Sequence, residues 1–97
     1  MKVSWDPRKA DSNLRKHGVA FDEAITVFND PLAFIFNDLE HSDDEHREII
    51  IGYSTLRRLL LVCFVERVDD TIRVISARRA TKQEINDYEK NARYKTH

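Results

Sequence analysis

The sequence predicts a small α+β domain, an antiparallel-dominated sheet flanked by helices, spanning residues 1–97 as a single unit. Three observations carry that expectation: paired helix start and stop signals near the front, three consecutive strand-like runs in the middle, and a capping box near the end. Strands that follow one another through hairpin-length connectors pair antiparallel, and helices grouped around such a meander belong to the α+β class.

Lys2 to Trp5 reads as a short first strand. Asp6-Pro7 then supplies an N-cap and a proline at the first helical position. The helix is expected to run to about His17, with Gly18 in the left-handed position that follows a helix end. Its apolar content is thin, and Ala10 and Leu14 are the candidates for its buried face. Phe21 to Asn29 predicts a second short helix, with Ala24, Ile25 and Phe28 inward, closed by Asp30-Pro31 because the residue before a proline avoids helical geometry. Leu32 to Phe36 is an apolar strand, and Asn37 to His46 a polar, acidic loop.

Arg47–Tyr53, Leu59–Glu66 and Thr71–Arg78 are the strand-like runs of the meander. Leu59 to Val65 is apolar without alternation, which suits a central strand covered on both faces. The last run alternates only weakly. Thr81-Lys82-Gln83-Glu84 matches the capping box, so a final helix opens there, with Ile85, Tyr88 and Ala92 as its apolar stripe.

Of the 97 residues, 34% are charged and 41% hydrophobic, the balance of a folded domain rather than a disordered chain. No apolar run approaches the roughly 20 residues that cross a bilayer, so no membrane association is expected. The opening residues lack the apolar core of a secretion signal, and the single cysteine, Cys63, excludes an internal disulfide; both point to the cytoplasm. The net charge of −1 conceals an uneven distribution. Residues 1–17 carry about +3, residues 37–48 about −5, and the chain from Arg57 onward about +4. A nonspecific nucleic-acid coat would be basic throughout, whereas this pattern predicts local positive patches assembled from the two ends of the chain, or simply solvated surfaces.

Several chemistries are disfavoured. His41, Asp43, Asp44, Glu45 and His46 match no structural zinc spacing, so no metal is expected. Gly18 and Gly52 are too far apart for a phosphate cradle, which leaves no cofactor motif. Cys63, between Val62 and Phe64, reads as a buried structural thiol. Metal-free RNA cleavage requires other parts: a base for the 2′-OH proton, cations for the phosphorane, and an acid for the leaving 5′-oxygen. His41, Glu45 and Arg47, where the acidic loop enters a strand, and Arg78 and Arg79, at the end of the last strand, are the candidate catalytic residues. Adjacent strand residues point to opposite faces, so at most one of that arginine pair is expected to face a given site. Lys9 and Lys16 on the first helix, with Asn13 and His17 in the same polar stripe, and Arg58 and Arg67 in the two connectors, are candidate substrate contacts. Simpler roles compete: His17 suits a helix C-terminus electrostatically, Asn13 could bond a neighbouring loop, and Arg79 could pair with Glu84.

These residues also carry a family resemblance. Trp5-Asp6, Lys9, Asn13, Lys16-His17-Gly18-Val19, Phe21 and Ala24 resemble the opening motif of the BrnT family of bacterial toxins. Asp30-Pro31, the His41/Glu45/Arg47 cluster, and Ile75-Ser76-Ala77-Arg78-Arg79-Ala80-Thr81 with Glu84 and Tyr88 resemble its later motifs. The resemblance covers Trp5 to Tyr88. It implies a RelE-like fold and a ribonuclease toxin of a type II toxin–antitoxin system that cleaves RNA and blocks translation. It further implies a BrnA-type antitoxin as partner, with operator DNA contacted only through the complex. The alternative from another class is a non-catalytic interaction module acting with its partner in operon repression. The loop from Asn37 to His46 is more acidic than an RNA-contacting loop should be, and is suited to docking a basic stretch of antitoxin.

Overall fold

The computed structural model describes residues 1–40 and 45–95, with side chains through Asn91. Strand β1 (Lys2–Ser4) leads into helix α1 (Pro7–His17), then α2 (Phe21–Ala24) continuing as a 3₁₀ helix (Ile25–Asn29). Strands β2 (Phe34–Asn37), β3 (Arg47–Tyr53), β4 (Leu59–Arg67) and β5 (Thr71–Arg79) follow, and α3 (Lys82–Lys95) completes the order. The strands form one sheet in the order β1-β5-β4-β3-β2, parallel only between β1 and β5. None of the described helices is long and apolar enough to cross a membrane.

The helix ends form as the local chemistry dictates. The Asp6 carboxylate accepts the Arg8 amide at 2.9 Å, and Gly18, at φ 68°, donates its amide to the Leu14 carbonyl. A left-handed residue at that point costs glycine little because it has no Cβ. The capping box of α3 closes in both directions: the Thr81 amide donates to Glu84 at 2.8 Å and the Glu84 amide to the Thr81 hydroxyl at 3.2 Å.

The core lies between one face of the sheet and α1, α2 and the 3₁₀ helix. Leu60, Val62 and Phe64 of β4 meet Val19, Phe21, Ala24 and Val27 there, with Ile50, Ile72, Val74 and Ala77 from the flanking strands. Gly52 marks the closest approach: a Cβ at that position would sit 3.0 Å from both Ala33 Cβ and Val27 Cγ1. Strand β4 is central and buried along most of its length, as its unbroken apolar run predicts.

Helix α1 departs from expectation on its inward face. Ala10 packs half-buried against the core as expected, but Leu14 is exposed, and the buried residue is Asn13. Strand β1 covers β5 only from Thr71 to Arg73, so the β5 edge is open farther along. Asn13 fills that gap as a strand would, accepting the Ala77 amide at 3.0 Å and donating to the Ala77 carbonyl at 2.8 Å and the Val19 carbonyl at 2.9 Å. Polar anchoring of backbone groups by Asn13, alongside the single apolar contact of Ala10, holds α1 to the edge of the sheet.

The opposite face of the sheet is only partly covered. Helix α3 lies over its β2–β3 side, where Tyr88 packs edge-on against Phe34 and Tyr53 and donates a 2.6 Å hydrogen bond to Asp30. Ile85 is half-buried beside it, while the side chain of Ala92, the third residue of the expected stripe, lies outside the described residues.

Candidate active site

A β-bulge decides which residues reach the open face. Between β4 and β5 the register runs Cys63↔Ser76 and then Phe64↔Val74, so Ile75 is an extra residue. On one side of the bulge Ile72 and Val74 face the helices; on the other Ala77 and Arg79 do, because they pair with Val62 and Leu60. Ser76 and Arg78 are thereby turned to the open face, paired with Cys63 and Leu61.

An open cavity of about 360 Å³ occupies that face. Arg47, Ile49, Leu61, Cys63, Ser76 and Arg78 form its floor and far wall, Asp38 and Glu40 one side, and His17, at the end of α1, the other. His17 reaches the cavity because Asn13 fixes α1 along the β5 edge, four residues earlier on the same helix face. A shallower depression of about 270 Å³ continues from it, sharing His17 and Ser76 and lined also by Lys9 and Lys16.

Electrostatics divide the cavity into held and titratable groups. Arg78 makes a bidentate pair with Glu84, Nη1 to Oε1 at 2.8 Å and Nη2 to Oε2 at 2.9 Å. That fork, with the capping amide, holds the Glu84 carboxyl down to about 2. Cys63 is half-buried rather than enclosed, with its thiol 3.7 Å from Asp38 Oδ2. Burial, then the Asp38 charge, pushes its pKa up to about 11, so it stays a neutral thiol and a poor nucleophile.

The expected site residues are thus redistributed. Arg47 and Arg78 come together at the cavity, and Lys9 and Lys16 line its extension. Arg79 faces the helix side, where its charge helps lower the Glu23 pKa, and Glu84 pairs with Arg78 instead of with it. Glu45 is salt-bridged to Arg67 at 3.1 Å, and neither lines the cavity. Arg58 is anchored internally: its guanidinium donates to both Glu23 carboxylate oxygens and to the Gly18 carbonyl, and Ser54 completes the network. His41 lies outside the described residues. Among the described residues no group of three or more His, Cys, Asp or Glu side chains is arranged to hold a metal ion.

His17, Asp38, Glu40 and Ser76 line the cavity without having stood among the leading candidates. For His17 a signal existed in the polar stripe it shares with Lys9, Asn13 and Lys16. Ser76 stood within the motif Ile75–Thr81, but which face it takes depends on the bulge.

A family model described as the ribonuclease toxin BrnT of type II toxin–antitoxin systems matches residues 5–84. The crystal structure of the Brucella abortus ribonuclease toxin BrnT is similar to this chain at 26% sequence identity and a TM-score of 0.66, covering 84% of this chain and 99% of that one. No curated protein matches the chain.

Proposed function

Because the chain belongs to the BrnT family of ribonuclease toxins of type II toxin–antitoxin systems, we propose that it cleaves RNA in the open cavity by acid–base chemistry that uses no metal. The observation that carries this reading is the meeting of two arginines and a histidine, Arg47, Arg78 and His17, in one solvent-open cavity with a lysine-lined extension. Arginine offers paired N–H donors that match phosphate oxygens, so Arg78 and Arg47 hold the scissile phosphate and stabilise charge as the phosphorane forms. His17, the histidine that lines the cavity, serves as a proton-transfer group. His41 is assigned the partner role of acid or base. Lys9 and Lys16 attract the flanking phosphates. Glu45, Arg58, Arg67 and Arg79 have no part in this mechanism.

The small antiparallel-dominated sheet with flanking helices supports a RelE-like assignment. Membership of a type II system implies an antitoxin, for which a BrnA-type protein is proposed, with the complex repressing its own operon through operator DNA. The purified chain is tested on RNA. Arg78→Ala is expected to lower cleavage by roughly 10²–10³-fold, the scale of losing one transition-state charge donor, and His17→Gln by about 10²-fold, whereas Arg79→Ala leaves it near wild type. Full activity in the folded Arg78 and His17 variants would sink the assignment.

A further inference from the structure

The flank of β2 exposes more apolar surface than folding requires. Ile35 is 52% exposed and Phe36 46%, both on β2, an outermost strand of the sheet, and Leu39, two residues past its end, is 85% exposed. Beside them a groove of about 350 Å³ runs under α3, floored by Phe34, Ile51, Leu61 and Tyr88. An open apolar groove beside exposed apolar side chains marks an interaction site.

The rim of this groove is acidic. Glu84 and Asp87 line it; Glu84 is paired with Arg78, and Asp87 meets no cation among the described residues. RNA would bring its own negative charge to this surface. A second copy related by a twofold axis would set the same carboxylates against one another. A segment carrying apolar and basic side chains satisfies both the groove and its rim.

We propose that the Ile35–Leu39 flank of β2 and the adjoining groove under α3 form the docking surface for the antitoxin, through a segment of it that is apolar and basic. This rests on the toxin–antitoxin reading above and names where that partner sits. The position accounts for neutralisation. Leu61 is a wall common to the groove and the RNA cavity, and Glu84, on the groove side, holds Arg78 on the cavity side. An occupant of the groove therefore abuts the cavity and the arginine that binds phosphate.

The test uses the full chain and its cognate antitoxin, with affinity and RNA cleavage measured on the same preparations. The double variant Ile35→Lys/Phe36→Lys is expected to weaken antitoxin binding by about 100-fold, and Asp87→Lys by about 10-fold, with RNA cleavage by the free chain retained. Val68→Lys, at an exposed apolar residue of the β4–β5 turn, serves as the control and leaves affinity unchanged. Amide hydrogen exchange of the wild-type complex, slowed over residues 35–39 relative to the free chain, gives the same answer without a variant. Unchanged affinity in both groove variants, or no slowing at 35–39, overturns the proposal. So does a free-chain dimer that the double variant dissolves while antitoxin binding persists, or a loss of cleavage equal to the loss of antitoxin binding. If antitoxin binding falls as expected but the wild-type chain cleaves no RNA, the docking surface stands and the ribonuclease mechanism fails.

Discussion

Arg78 and Arg79 adjoin in sequence yet serve opposite faces of the sheet, and a single bulged residue, Ile75, determines which faces which way. Arg78 is held ready by Glu84, whose carboxylate simultaneously caps α3. The pair has a pH signature. Glu84 titrates at about 2 when folded instead of its ordinary 4.5. A depressed carboxylate contributes stability in full above pH 4.5, and that contribution is lost as pH falls toward about 2. Glu84→Gln keeps the capping geometry, since glutamine also closes a capping box, but removes the titrating charge. The wild type is therefore expected to lose more stability than E84Q between pH 5 and 2.5, by about 1 kcal/mol or less because the pair is partly solvent-screened. Urea midpoints at the two pH values check this; parallel losses in both proteins would contradict it.

At the scale of elements, α1 is set in place by one amide side chain. Asn13 satisfies three backbone groups at the open edge of β5 and just beyond the helix, and through that docking His17 reaches the cavity. Asn13→Ala leaves those buried groups without partners at ~1–3 kcal/mol each, so destabilisation of roughly 3 kcal/mol is expected in thermal or denaturant unfolding. Asn13→Asp should be worse, because a carboxylate cannot donate to the Val19 and Ala77 carbonyls. A melting temperature for N13A equal to wild type would show that other contacts hold the helix. The Glu23–Arg58 pair ties the β3–β4 connection to α2 and to the Gly18 carbonyl just past the end of α1.

At the scale of the whole molecule, the sheet separates structure from chemistry. One face is sealed by α1, α2 and the 3₁₀ helix, and the other is left to the cavity and to α3. On that open face the charges separate: lysines along α1 extend the cavity at one end, and carboxylates line the groove under α3 at the other. In the proposed mechanism Arg47 and Arg78 supply the positive charge, so activity is expected to persist in excess EDTA and to weaken with rising salt. Loss of cleavage in EDTA, restored by one divalent ion, would show that a metal supplies that charge.

The sequence by itself determined what depends on neighbours along the chain. The Asp6-Pro7 start, the Gly18 stop, the capping box at Thr81 and the bounds of β3 are each decided within a few residues, by capping, allowed φ and side-chain alternation. The central position of β4 was legible for the same reason, since its unbroken apolar run needs cover on both faces. The family was legible in motifs spread from Trp5 to Tyr88, and matches over residues 5–84. Tertiary structure alone decided which charges converge. Arg58 and Glu23 are 35 positions apart and Asn13 and Ala77 are 64 apart, and no local pattern announces such partners. Arg78 rather than Arg79 lines the cavity because a bulge shifts the side-chain alternation of β5, which depends on its pairing with β4 rather than on its own residues.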